Sequence, residues 1–278
     1  MSSILTNNSA MNALSTLRNV NSNLSETQNR ISTGMKVNSA KDNASYFSIS
    51  TTMKSEGGMN KAVNEGLTLT KNSISTARLG AETMVDLSQQ FVDRLAFAQT
   101  EGVDQADVQK ELTSLAAQMA TAINQSSFNG ENLISAAGAG PKEVVSGVSR
   151  SGATLSTTKI SFSATDLEAV QTTFAAIAID NTTTAADLEL ALTNAEGYLS
   201  AVTDAATDLG IAEKQVETQQ NFLSELGDRL DSGVGSMVDA DMEKEAARLQ
   251  SLQVQQQLST QSLSIANQAP QNILSLFR

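Results

Sequence analysis

Apolar positions recur at alternating steps of four and three residues along most of this chain, the seam of helices that pack along their length. Three long runs carry the pattern. The first is Ala10, Leu14, Leu17, Asn21, Leu24, Gln28 and Ile31. The second is Val63, Leu67, Thr70, Ile74, Ala77, Ala81, Met84, Ser88, Phe91, Leu95 and Ala98, and the third is Leu188, Leu192, Ala195, Leu199, Val202, Ala206, Leu209, Glu213, Val216, Gln220, Leu223, Gly227 and Leu230. A shorter fourth run, Val108, Leu112, Leu115, Met119 and Ala122, follows a polar break at Glu101 to Asp104. Any amphipathic helix on a globular core shows one such run. Three of this length predict rods that bury their seams against one another, a run of roughly 40 residues making a rod about 60 Å long. The fold expected is mainly α: an elongated antiparallel helical bundle of coiled-coil-like rods.

Between the rods the pattern changes. Ser135 to Pro141 (SAAGAGP) reads as a small-residue break. Gly138 and Gly140 lack the preceding strand and the following helix with Lys and Ser or Thr that a phosphate loop needs. Residues 142–163 alternate weakly, with Ile160 and Phe162 on one face, and Arg150-Ser151-Gly152 can turn a hairpin. Residues 165–179 predict a short helix with Asp166 near its start, and Asn181 to Thr184 a polar turn. The middle is therefore a small, β-hairpin-containing segment rather than a substantial domain. Further on, Asp231-Ser232-Gly233-Val234-Gly235-Ser236 is poor in helix formers and reads as a hinge. The carboxylates of Asp239, Asp241, Glu243 and Glu245 imitate the start of a calcium loop, but Lys244 stands where that loop needs Gly and Gln250 where it needs Glu. A helix N-terminus capped by Asp239 or Asp241 fits them better.

The segment after that cap has unusual chemistry. Leu249, Leu252, Val254, Leu258, Leu263 and Ile265 share it with Gln253, Gln255, Gln256, Gln257 and Gln261, amides in place of the usual Lys and Glu. Two readings stay open: a soluble helix with a polar face, or a helix surrounded by copies of itself, where amides hydrogen-bond without the cost of burying ions. The first 32 residues are similar, with only Arg18, Glu26 and Arg30 charged.

Composition narrows the function. With no His and no Cys among 278 residues, imidazole bases, thiol nucleophiles, disulfides and nearly all transition-metal sites are removed, so neither an enzyme nor a cofactor or metal is expected. A net charge of -12 argues against nucleic acid. The charge is unevenly placed: residues 1–42 carry four basic and two acidic groups, residues 43–238 eleven and 24, and residues 239–278 three and four. Nearly neutral ends can be buried against partners, while an acidic middle is solvated. No cleavable signal peptide is read in residues 1–20, and no apolar stretch predicts a membrane span. Both a cytoplasmic place and an extracellular one reached without a signal peptide fit this.

Four stretches then carry a family likeness. They are Gln28-Asn-Arg30-Ile31-Ser32-Thr33-Gly34-Met-Lys36-Val37-Asn38-Ser39-Ala40-Lys41-Asp42-Asn43-Ala44, Ser127-Phe128-Asn129-Gly130-Glu-Asn132-Leu133, Val238-Asp239-Ala240-Asp241-Met242, and Ala266-Asn267-Gln268-Ala-Pro270-Gln271-Asn272-Ile-Leu274-Ser275-Leu276-Phe277-Arg278. In this order they resemble bacterial flagellin, the subunit of the flagellar filament, and the compact middle resembles the short flagellins of alphaproteobacteria. The resemblance implies an inner-tube helix at 1–42, rod helices at 43–140, a variable surface segment at 141–184, a rod helix at 185–235 and a second inner-tube helix at 236–278. It implies that Leu14, Leu17, Leu24, Ile31, Leu249, Leu252, Leu258, Ile265, Ile273, Leu274, Leu276 and Phe277 make the assembly contacts of paired terminal helices. Arg30, Ser32, Gly34, Asn38, Ala40 and Asp42 would form the turn between first helix and rod. It further implies polymerisation with copies of the chain, unfolded export through the flagellum's own type III apparatus, and an export chaperone, filament cap and hook-junction proteins as partners. A hook–filament junction protein shares such ends and is the nearest alternative; a coiled-coil adaptor would explain the heptads but not the four ordered motifs. Because ordering the ends costs conformational entropy, they are expected to fold on assembly.

Overall fold

The computed structural model describes residues 7–152 and 154–275. Its order is α1 (Asn8–Thr33), α2 (Ala44–Phe97), α3 (Gln105–Gln125), β1 (Gly140–Ser151), β2 (Thr154–Ala164), α4 (Leu167–Ala175), α5 (Ala185–Val238) and α6 (Met242–Ser275). The two strands form one antiparallel sheet, and everything else regular is helix. The chain divides into two compact units, residues 56–227 and the two ends together, 1–55 with 228–278; α2 and α5 contribute to both.

In the unit 56–227, α2 and α5 run antiparallel: Gln220 Nε2 donates to Thr68 Oγ1 at 2.8 Å, Lys71 pairs with Glu217, and Arg78 Nε donates to Glu213 Oε2 at 2.7 Å. Every position of the second predicted seam, Val63 to Ala98, is buried or half-buried, and so is every position of the third seam that falls in this unit. Helix α3 returns along α2 after the break at 98–104, started by Asp104, whose side chain accepts from the Ala106 N–H. Helix α4 is started in the same way by Asp166, as expected. It sets Phe174 edge-on between Phe91 of α2 and Tyr198 of α5, with ring centroids 5.1 and 5.4 Å away. The core is thin-layered, made of Leu, Ile, Val, Ala and Met with that one aromatic stack.

The middle segment is the expected hairpin, with Gly152 in its turn and a bulge between Val145 and Gly147. The bulge turns Ser146 inward, where its carbonyl accepts from Gln219 Nε2 at 2.6 Å, and Ile160 and Phe162 lie on the covered face. Ser135 to Pro141 turns into β1, with the Gly138 and Ala139 N–H groups donating to the Ser135 carbonyl at 3.0 Å. Leu133 and Ile134 just before it are buried, and the Leu167 N–H donates to the Ile134 carbonyl at 3.0 Å.

In the unit formed by the ends, the first seam shifts by one residue at two positions. Asn21 and Gln28 are exposed, while Val20 and Thr27 are buried. The second difference concerns the expected hinge at Asp231 to Ser236: helix α5 continues through it to Val238, and the chain bends instead at Asp239 to Asp241. Gly233 lies inside the continuous helix, with the flexible end of the Met53 side chain on α2 packed against it, 2.9 Å from where a Cβ would sit.

Candidate assembly interface

The terminal helices pair antiparallel, and three polar contacts give the register. Asn7 caps α1 by accepting from the Ala10 N–H at 3.1 Å, and its Nδ2 donates to the Ala266 carbonyl of α6 at 2.8 Å. Midway, Gln256 Nε2 donates to Asn21 Oδ1 at 2.8 Å. At the far end Arg30, also paired with Glu26, places Nη1 3.4 Å from Glu245 Oε1. Positions rise along α1 as they fall along α6.

Beyond Arg30 lies a clasp. Helix α1 stops at Gly34, whose φ of +71° is a left-handed conformation that a side chain would resist. The reversed chain then pairs with the end of α5. Met35 bridges to Asp239, the Val238 carbonyl accepts from the Lys36 N–H at 2.7 Å and the Val37 N–H at 3.3 Å, and the Ala240 N–H donates to the Gly34 carbonyl at 2.8 Å. Lys36 Nζ adds a bond of 2.9 Å to the Ser236 carbonyl. Under this backbone pairing lie Val37, Val234 and Val238, covered by Met35, Phe47, Met53 and Met237.

Two acidic groups and one amide finish the local geometry. Asp42 Oδ2 accepts from the N–H groups of Asn38 and Ser39 at 3.0 and 2.9 Å and from the Ser39 hydroxyl at 3.1 Å. These bonds, the Ser39 N–H first, hold its carboxyl below the usual aspartate value, because each favours the charged form. Asn43 caps α2 by accepting from the Tyr46 N–H, and Asp241 rather than Asp239 caps α6 by accepting from the Lys244 N–H.

The expected assembly residues fall into three groups. Leu14, Leu17, Leu24, Ile31 and Leu249 are half-buried between the helices, and Leu252 is buried. Leu258 and Ile265 are exposed by 64% and 61%, and with Val254 they leave an apolar face of α6 uncovered within the single chain. Ile273, Leu274, Leu276 and Phe277 lie outside the residues whose side chains are described. Of the motif residues, Arg30, Gly34, Asn38 and Asp42 carry the contacts above, and Ser32 and Ala40 are exposed. Sequence reasoning missed Glu245, which is buried. Its position four residues before Leu249 and seven before Leu252 was the available signal, masked by the reading of 239–245 as a helix N-terminus.

Among the described residues no three His, Cys, Asp or Glu gather as a metal site, and no helix is long and apolar enough to cross a membrane.

Residues 4–139 match the bacterial flagellin N-terminal helical region and residues 192–277 the bacterial flagellin C-terminal helical region. The stretch left between them holds the hairpin and α4. Over its whole length the chain is similar to a flagellin of Brucella melitensis, at 41% identity covering 100% of both chains, and to flagellin C of Rhizobium meliloti, at 36% with the same coverage. Flagellin FljM of Caulobacter vibrioides is 32% identical over 100% of this chain and 99% of its own. Matched at both helical ends and along its full length by alphaproteobacterial flagellins, the chain belongs to the bacterial flagellin family.

Proposed function

We propose that this chain is a structural subunit of the bacterial flagellar filament, the helical polymer of swimming motility, and that its paired ends are the parts that assemble. The observation that carries the second half is the composition of α6. From Leu249 to Phe277 not one residue is charged, yet Val254, Leu258 and Ile265 face solvent in the single chain. A helix that is neither charged nor covered is unfavourable alone and favourable among copies of itself, since burial of apolar area contributes about 25 cal/mol per Å². The amides of Gln253, Gln255, Gln257 and Gln261 can then bond laterally without desolvating an ion.

Several finer points belong to the same reading. The ends order fully only when a subunit docks, the chain leaves the cell through the flagellar export apparatus without a cleaved signal peptide, and an export chaperone, the filament cap and the hook-junction proteins are its transient partners. No catalytic step is part of this function.

The test is elongation of sheared filament seeds by purified monomer, followed by electron microscopy. The wild-type chain should elongate them, and a chain carrying both Leu258→Glu and Ile265→Glu, folded by circular dichroism, should not. Removal of 272–278 should likewise stop growth while leaving unit 56–227 folded. A wild-type chain that binds seeds but ends their growth would instead be a junction protein.

A further inference from the structure

The small core under the clasp is built in a way that the filament reading does not call for. Three of its four covering side chains are thioethers, Met35, Met53 and Met237, over the valines Val37, Val234 and Val238. Each thioether sits against the clasp itself. Met35 is the residue that bridges to Asp239, Met237 precedes the carbonyl that accepts from Lys36 and Val37, and the Met53 methyl lies on the Gly233 backbone.

All three are half-buried, so solvent reaches them while their bodies still pack. Met84 and Met119 in the other unit are fully buried, and Met11 and Met242, 63% and 46% exposed, are outside the clasp core. With no Cys, His or Trp in the chain, the methionine sulfur is the side chain most open to two-electron oxidation.

We propose that Met35, Met53 and Met237 form an oxidation-sensitive latch, in which conversion to sulfoxide by a hydroperoxide releases Gly34–Val37 from Val238–Ala240. In each step a sulfur lone pair attacks the distal peroxide oxygen, an S–O bond forms and the O–O bond breaks. The sulfur loses two electrons, the peroxide takes them, and the proton on the transferred oxygen passes to the departing alkoxide or hydroxide, which leaves as an alcohol or, from hydrogen peroxide, as water. The product carries a strong acceptor oxygen on a polar, stiffer side chain. The side chains packed beneath the clasp, the valines and Phe47, offer it no donor. The new oxygen is best solvated when the side chain turns away from those apolar neighbours, and the backbone pairing packed above them then opens.

The experiment uses filaments assembled from the full-length chain and treated with hydrogen peroxide. Peptide mass spectrometry follows oxygen addition at each methionine, and hydrogen exchange follows the amides of Lys36, Val37 and Ala240. Oxidation at the three sites is expected to speed exchange of those amides by about tenfold, the effect of one buried polar group left unpaired. Methionine sulfoxide reductases acting on both sulfoxide epimers should restore slow exchange. The combined variant Met35→Leu, Met53→Leu, Met237→Leu keeps the apolar volume and should take up oxygen at Met11 and Met242 with no change at the clasp. The proposal is overturned if the three methionines oxidise and the clasp amides are unaffected, if they stay reduced while Met11 and Met242 convert, or if the leucine variant opens to the same extent. Reductase reversal in the wild-type chain reads the same effect should the leucine variant not fold.

Discussion

Arg30 on α1 and Glu245 on α6 meet across 215 positions of sequence, with Nη1 3.4 Å from Oε1, and the second oxygen of Glu245 is buried without a hydrogen-bond partner. The carboxylate is thus already short of one donor. Taking away its remaining cation should cost more than an exposed ion pair is worth, about 1–3 kcal/mol, with the lower half favoured because the Arg30 side chain is 26% exposed. Arg30→Ala is expected to destabilise the terminal pair by that amount in urea unfolding. Glu245→Gln, which removes the charge as well as the need for it, should lose less.

Asp42 gives the clasp a dependence on acid. Its carboxyl is held below the ordinary 3.8, first by the Ser39 N–H, then by that of Asn38 and by the Ser39 hydroxyl. A folded-state pKa below the unfolded one means that this contribution is fully present above the unfolded pKa and disappears as pH falls through the folded one. Amide shifts of Asn38 and Ser39 should titrate with a midpoint below 3.8, the value from which the group starts. Asp42→Asn should abolish that titration and speed exchange of both amides at neutral pH.

Two glycines should respond to alanine for opposite reasons. At Gly34 there is open space but a φ of +71°, so Gly34→Ala costs about 1 kcal/mol of backbone strain. Gly80 has ordinary helical geometry, but an added Cβ would overlap Ser126 Oγ and come within 2.9 Å of Ile134 Cδ1. Gly80→Ala should therefore destabilise by about 2 kcal/mol, even after the roughly 1 kcal/mol gained in helix propensity. Thermal unfolding of the two variants separates these cases, and Gly34→Asn should recover part of the first loss only.

Ser88 offers a stabilising change. It is fully buried in the α2 seam with no hydrogen-bond partner for its hydroxyl. Ser88→Ala removes an unpaired polar group and raises helix propensity, which should add about 1 kcal/mol to stability in thermal unfolding. A loss instead would mean that the hydroxyl finds water.

The rods were legible because burial along α2 and α5 repeats many times. One misplaced residue cannot disguise a seam that returns eleven times from Val63 to Ala98. The seam of α1 has fewer repeats and weaker contrast, and Asn21 and Gln28 passed for members although Val20 and Thr27 are the buried ones. Gly233 misled for a different reason. Its low helix propensity is real, but its proximity to Met53 is a tertiary fact that no local rule contains. The same holds for Glu245, whose burial depends on Arg30 arriving from the other end of the chain. The motif residues of 28–44 were found by likeness, while their clasp with Val238 to Ala240 came only from the fold.

The long uncharged tract of α6 has an environmental consequence. Contacts made by alkyl groups and neutral amides offer almost nothing for dissolved ions to screen, whereas charged contacts weaken as the Debye length shrinks from about 30 Å at 0.01 M to about 3 Å at 1 M. On the proposed assembly through α6, the contacts between subunits should therefore weaken little as salt is added.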